Sequence, residues 1–214
     1  MTNEVYTQSI VDCKKFPLGL FSEPEEAYHA ARAQYLTSHS LALFRRCPEL
    51  YRQCQEGLHA PHKEYYTLGC AAHCLILEGH NELKRRFAVG GPIYEKTGKP
   101  YGTATKAYAA WVEYQGKPAI SQEDYILISE LRCAIDAHEE AQPLLDNGWA
   151  ELTCRNNYCG MEAQARIDWY NPERGIVDLK TCADLDRFEF DAKRFGYANQ
   201  LAFYRAVAQV TEDC

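Results

Sequence analysis

The chain has 214 residues, a formal net charge of −7 and ten cysteines. This length suits one substantial α/β domain, and a composition that is 46% apolar or aromatic excludes a disordered chain. The negative charge argues against a protein that coats nucleic acid indiscriminately. The polar start and the lack of a long apolar run predict neither a signal peptide nor a membrane helix, so we expect a soluble cytoplasmic protein.

The N-terminal half is predicted to be helical. Apolar periodicity and capping signals favour helices over residues 22–35, 38–57, 67–79, 103–115 and 121–140. Ser22 and Ser121 are the predicted N-caps of the first and last helices, Cys47-Pro48 is expected to restart the second, and Gly79 is expected to stop the third. A short strand is predicted near 86–89.

The cysteines do not predict a metal site. The chain contains no CxxC pair, and the spacing of Cys154 and Cys159 differs from that of a zinc knuckle. Cys70 and Cys74 fall on one predicted helix, where cysteine behaves as a small apolar residue. We therefore expect reduced thiols in or near the core.

The pattern changes to strands from Trp149 onward. Strands are predicted over 149–153, 161–168 and 176–180, followed by a polar linker and a helix over about 195–210. In the second strand, alternation places one set of side chains on one face and a second set on the other. The first set is Glu162, Gln164, Arg166 and Asp168, and the second is Ala163, Ala165 and Ile167.

A hairpin is predicted between the last two strands. The turn Asn171-Pro-Glu-Arg-Gly175 is short, so it brings Asp168 close to Asp178 and Lys180. Two carboxylates beside an amine can hold a hard divalent cation and a phosphate side by side. Each feature alone has an ordinary explanation, because an Asp-x-Lys on a strand is commonly a surface ion pair.

These residues resemble a family of nucleases. Asp168 and, ten positions later, Asp178-Leu179-Lys180 resemble the PD-(D/E)xK motif, and Gln200-Leu-Ala-Phe-Tyr204 resembles the QxxxY helix motif of the RecB-type branch. The segment 71–78, which carries His73, is similar to the histidine-bearing helix of RecE-like exonucleases, the exodeoxyribonuclease VIII group. Tyr197 and the opening Ser38-His-Ser-Leu-Ala-Leu43 fit the same group, and the resemblance covers about residues 36–207.

The resemblance implies an α/β fold of the restriction-endonuclease-like class, with a small mixed central sheet flanked by helices. A single nuclease domain over residues 1–214 is expected, with a helical part at about 20–145 and the catalytic sheet and QxxxY helix at about 149–210. Similar nucleases continue past that helix into another strand. We therefore expect either a chain truncated at its C-terminus or a sheet that lacks one edge strand.

The resemblance also implies roles for individual residues. Asp168, Asp178, the carbonyl of Leu179 and His73 would bind Mg²⁺ or Mn²⁺, which lowers the pKa of a bound water. Lys180 would lie beside the attacking water, and its closeness to two acids favours an orienting and electrostatic role over that of a general base.

Four further side chains are assigned to the cleft. Gln200 and Tyr204 share one helix face, which the resemblance places at the cleft. Arg166 lies on the face of Asp168 and is a candidate for DNA contact. Glu162 is a second candidate, which would orient a water or a second metal, or simply pair with Arg166.

The function that these residues favour is a metal-dependent DNA exonuclease. By resemblance it would degrade linear double-stranded DNA from an end, 5′ to 3′, act with a single-strand annealing protein and form a ring-shaped homo-oligomer. Two alternatives stay open: an inactive nuclease fold that serves as a DNA-binding or assembly module, and another PD-(D/E)xK endonuclease or repair nuclease. A glycosidase is disfavoured, because Lys180 suits a phosphate better than an oxocarbenium-like centre.

Overall fold

A computed structural model describes residues 19–58 and 66–209 of the chain. The described residues fall into two compact units. One combines 19–58 with 147–209, and the other covers 66–146. None of the described helices is both long and apolar enough to span a membrane.

The first unit opens with a short strand and three helices. These are β1 (Leu20–Ser22), α1 (Glu25–Ala30), α2 (Ser38–Arg46) and α3 (Pro48–Gln55). Thr37 caps α2 in a reciprocal capping box with Ser40. The predicted restart at Pro48 is confirmed, since Cys47 is extended, as a residue before proline prefers to be.

The predicted helix cap at Ser22 is wrong. Ser22 lies in β1, which pairs antiparallel with a central strand through the register Leu20↔Cys154. The helix begins only after Pro24, without a side-chain cap. A strand therefore comes from the part of the chain that was predicted to be helical.

The second unit contains four helices and four short strands among its described residues. They are α4 (Tyr66–His73), α5 (His80–Arg86), β2 (Ala88–Val89), β3 (Ile93–Tyr94), β4 (Lys99–Pro100), α6 (Lys106–Gln115), β5 (Ala119–Ile120) and α7 (Gln122–Asp136). A π-helical turn, Cys74–Glu78, follows α4 and ends at Gly79, whose φ of 91° favours glycine. The predicted cap at Ser121 is confirmed, in a reciprocal pair with Asp124.

The first unit resumes with its main strands and two helices. They are β6 (Trp149–Tyr158), β7 (Met161–Asn171), β8 (Gly175–Val177), α8 (Phe188–Phe195) and α9 (Tyr197–Ala208). The sheet order is β1-β6-β7-β8, and all three pairings are antiparallel. One parallel bridge, Leu36↔Ala163, makes the sheet mixed. The predicted restriction-endonuclease-like α/β class is confirmed.

The core of this unit lies between the sheet and α9. Ala163, Ala165 and Ile167 are fully buried, as alternation along β7 predicted, and they pack with Phe203 and Val207 of α9. The small side chains of β7 allow the helix to lie close to the strand. The opposite face of β7 carries the polar side chains Gln164, Arg166 and Asp168.

Two segments near the predicted hairpin differ from expectation. The hairpin itself is confirmed, with Asn171 paired to Gly175, but β8 ends at Val177 and not at Lys180. Residues 188–194, predicted as part of a polar linker, belong to the helix α8. Both differences bear directly on the site at the end of the hairpin.

Candidate metal centre

Asp168 lies where the β7–β8 ladder stops. The last paired residue of β8 is Val177, opposite Trp169. Beyond it, the backbone N–H of Leu179 donates to Oδ2 of Asp168 over 2.8 Å. The side chain of Asp168 thus accepts the hydrogen bond that a neighbouring strand would otherwise accept. This explains why the strand ends earlier than predicted. The same hydrogen bond holds the segment 178–180 beside Asp168.

The two carboxylate oxygens of Asp178 differ in their contacts. Its Oδ2 forms an ion pair with Nζ of Lys180, and the side chains are 3% and 20% exposed respectively. Its Oδ1 is buried and has no hydrogen-bond partner among the described residues. Leaving a buried charged oxygen without a partner is costly, so this atom is suited to binding a cation.

The neighbouring acids at the site disfavour the ionised form of Asp168. The pKa of Asp168 is raised to about 7, first by burial and then by the nearby charge of Asp178, with a smaller contribution from Glu151. Lys180 and the N–H of Leu179 act in the opposite direction but do not prevent the rise. A cation would relieve this repulsion, because it favours the ionised form of each carboxylate.

The QxxxY residues of α9 contact each other. Nε2 of Gln200 donates to the hydroxyl oxygen of Tyr204 over 2.7 Å. Burial raises the pKa of Tyr204, and Asp178 and Asp168 raise it further, so the phenol stays protonated at neutral pH. At the start of the same helix, the ring of Tyr197 lies with its centroid 5.3 Å from Nζ of Lys180, a cation–π distance.

The chain matches the model of a protein family. The model of a PDDEXK-like domain of unknown function (DUF3799) matches residues 37–213, which is most of the chain. The chain belongs to this PDDEXK-like family. A search of curated proteins found no match.

The donor set of this PDDEXK-like domain fits a hard divalent ion. Nucleases of the PDDEXK type use divalent metals, and Mg²⁺ and Mn²⁺ prefer carboxylate oxygens. Asp168 and Asp178 would supply these oxygens. Oδ1 of Asp178, which has no partner within the part of the chain that the structure describes, is the atom that most needs a cation.

Glu151 is a residue of the site that the sequence reasoning missed. Its neighbours pair as Ala150↔Trp169 and Leu152↔Ile167, so Glu151 lies opposite Asp168. Carboxylate oxygens of the two residues lie within 4.8 Å of each other. Counting outward from the Tyr158↔Met161 turn of the β6–β7 hairpin would have revealed this pairing.

The backbone of Glu151 is also unusual. Its φ is +55°, a left-handed conformation that costs a non-glycine residue about 1 kcal/mol and that clusters at functional sites. Nε of Arg166 donates to its carboxylate over 2.6 Å, and Nη1 of Arg166 donates to the carbonyl of Glu23 over 3.2 Å. Arg166 therefore orients Glu151 beside Asp168, and its contact with DNA stays a prediction.

The two remaining predicted residues are Glu162 and His73. Glu162 is exposed near the start of β7, about 20 Å of strand rise from Asp168. It pairs across the sheet with Asn157, and its predicted role near DNA stays a prediction. His73 ends α4 in the unit formed by 66–146, where it is half-buried, and its role as a metal ligand also stays a prediction.

Proposed function

We propose that this chain is a divalent-metal-dependent nuclease that hydrolyses phosphodiester bonds of DNA. The observation that carries the proposal is the ion pair between the buried side chain of Asp178 and the partly exposed Lys180, beside Asp168. One carboxylate oxygen of this pair lacks a partner among the described residues, while the other holds the ammonium group in place.

In this arrangement the carboxylates would bind the metal ion, and the lysine would stabilise negative charge on the phosphate. Asp168 and Asp178 would hold Mg²⁺ or Mn²⁺, with the carbonyl of Leu179 and His73 as the further ligands that the family resemblance implies. A bound cation supplies a water of lowered pKa near neutral pH. Lys180, anchored by Asp178 and by the ring of Tyr197, presents positive charge where negative charge accumulates on the phosphate.

At a finer level, we propose a RecE-like exonuclease of the exodeoxyribonuclease VIII type. It would act on ends of double-stranded DNA, 5′ to 3′, together with a single-strand annealing protein, and as a ring-shaped homo-oligomer. The motifs at 71–78 and at Gln200 and Tyr204 support this choice, and the two residues of the second motif are joined by a hydrogen bond.

Cleavage of matched DNA substrates tests the proposal. Linear duplex and closed circular duplex of one sequence are incubated with Mg²⁺, and the linear form carries a label at either its 5′ or its 3′ end. We expect nucleotide release from linear DNA alone, with early loss of the 5′ label. Asp178→Asn should abolish it, whereas the exposed-site control Asp136→Asn should not.

Each other result identifies an alternative. Cutting of the closed circle would favour an endonuclease of the same fold, and early loss of the 3′ label would reverse the proposed polarity. No release from either substrate by a folded protein, together with retained DNA binding, would favour a DNA-binding or assembly module. Calorimetric titration with Mn²⁺ checks the metal site separately, and it should show binding that Asp178→Asn removes.

A further inference from the structure

The helix α8 carries an exposed aromatic surface. Phe188, Phe190 and Phe195 are 37%, 56% and 58% exposed, although they occupy a helix of only eight residues. Phe188 and Phe195 are seven positions apart, so they lie on the same side of the helix, whereas Phe190 lies on the other side. Neighbouring exposed aromatic rings are unusual for a surface without a binding partner. We call Phe188 and Phe195 the aromatic face.

The aromatic face is continuous with the candidate metal centre. The ring of Tyr197 lies 6.1 Å, between centroids, from the rings of both Phe188 and Phe195. The same Tyr197 ring lies 5.3 Å from Nζ of Lys180. A chain of ring contacts therefore leads from the lysine of the site to the outer surface of α8.

Guanidinium groups accompany two of the exposed rings. Arg187 lies over Phe190 at 5.7 Å, and Arg194 lies over Phe195 at 5.3 Å. Exposed rings beside arginines are typical of surfaces that stack bases and meet phosphates of single-stranded nucleic acid.

Acidic residues also occur on this helix. The carboxylate of Glu189 forms an ion pair with Lys193 over 2.6 Å, and Asp191 acts electrostatically on Tyr197. The acids leave the helix without a net basic charge, so stacking on the rings must contribute more than charge. This favours unpaired bases over an intact duplex, whose bases are not accessible for stacking.

We propose that the aromatic face of α8 stacks the unpaired bases of a DNA strand that enters the metal centre. The inference rests on the proposed nuclease function, and it adds a substrate preference: a strand that is single-stranded or frayed at its end. The rings of Phe188 and Phe195 would hold unpaired bases while Lys180 lies beside the phosphate to be cut.

Binding of intact DNA tests this inference without relying on cleavage. The full chain is titrated, with Ca²⁺ in place of Mg²⁺, against a single-stranded oligonucleotide and a blunt duplex, both with 2-aminopurine near one end. Phe188→Leu and Phe195→Leu remove the π face but keep an apolar side chain. Phe44→Leu is the matched control, because Phe44 is 49% exposed on α2 of the same unit.

We expect each α8 variant to bind the single strand about tenfold more weakly and to quench its 2-aminopurine less. Binding of the blunt duplex should change less than about twofold, and Phe44→Leu should behave as the parent. Equal losses for both DNA forms, or no loss at all, would overturn the inference. So would unchanged DNA binding with altered sedimentation, since the face would then contact a second copy of the chain.

The two proposals fail separately in this design. If the parent protein cuts no DNA but its α8 variants selectively lose binding of the single strand, the stacking surface is supported and the proposed hydrolysis is refuted. A protein that cuts linear DNA and whose α8 variants bind single strands normally keeps its nuclease function and loses the stacking surface.

Discussion

Replacing Asp168 by asparagine should stabilise the metal-free protein at alkaline pH. The folded protein raises the pKa of this carboxyl from 3.8 to about 7, mainly by burial. The folded state therefore holds the proton more tightly than the unfolded state does. The resulting stabilisation is complete below about pH 4, is lost as the pH rises towards 7, and is absent above 7.

The size of the effect follows from the shift. About three pKa units correspond to at most ~4 kcal/mol of unfavourable free energy for the ionised form. The asparagine side chain keeps an oxygen that can accept the N–H of Leu179, and its amide can donate towards the neighbouring acids, so the fold around it is retained. We expect about half of the upper limit, which corresponds to a rise in Tm of roughly 4 to 8 °C for a chain of this length.

The assay is thermal unfolding of parent and Asp168→Asn proteins without metal at about pH 4, 6 and 8, with the exposed-acid variant Glu139→Gln as control. The difference in Tm between the Asp168→Asn variant and the parent should be near zero at the acidic end and largest at the alkaline end. Adding Mn²⁺ at alkaline pH should raise the Tm of the parent and not that of the variant. A difference that is constant with pH, or equal stabilisation of both proteins by Mn²⁺, would refute the reasoning.

Three further changes give separate tests. Lys180→Ala should lower kcat for DNA cleavage at least about a hundredfold while calorimetry still detects Mn²⁺ binding, and joint loss of both would assign the lysine to metal binding instead. Gly148→Ala should destabilise the protein by about 1–3 kcal/mol in urea unfolding, because a Cβ there would overlap the indole of Trp169 and the carbonyl oxygen of Tyr170; an unchanged midpoint would contradict this packing. Tyr204→Phe should lower the free energy of unfolding by about 1 kcal/mol, since it removes the acceptor of the Gln200 hydrogen bond. If the losses of Tyr204→Phe and Gln200→Ala add fully in the double variant, the two residues are not coupled.

Much of the β7–β8 strand pair could be predicted from the sequence. Alternation along β7 predicted which side chains are buried, and Ala163, Ala165 and Ile167 are fully buried as expected. The short turn before Gly175 predicted the hairpin, and with it the closeness of Asp168 to Asp178. These features depend on neighbours along the chain, so a local pattern is enough to reveal them.

The predictions failed in two situations. In one, a side chain accepted a hydrogen bond in place of a backbone carbonyl; in the other, a local segment paired with a strand distant in sequence. The strand was expected to continue to Lys180, but the carboxylate of Asp168 binds the N–H of Leu179 and ends the ladder. Ser22 has the local pattern of a helix cap, yet it pairs in the sheet because Leu20 fills a buried position opposite Cys154. In both cases a contact distant in sequence outweighed a local preference.

The sequence by itself determined the alternating core face of β7, the spacing of the acids and lysine, and the pairing of Gln200 with Tyr204, because turns and helices are short-range structures. The tertiary structure alone decided that Glu151 lies opposite Asp168, that one oxygen of Asp178 is buried without a partner among the described residues, and that α8 exposes its phenylalanines. Burial and strand register depend on which distant segments pack together, and this information is not contained in any local window of the chain.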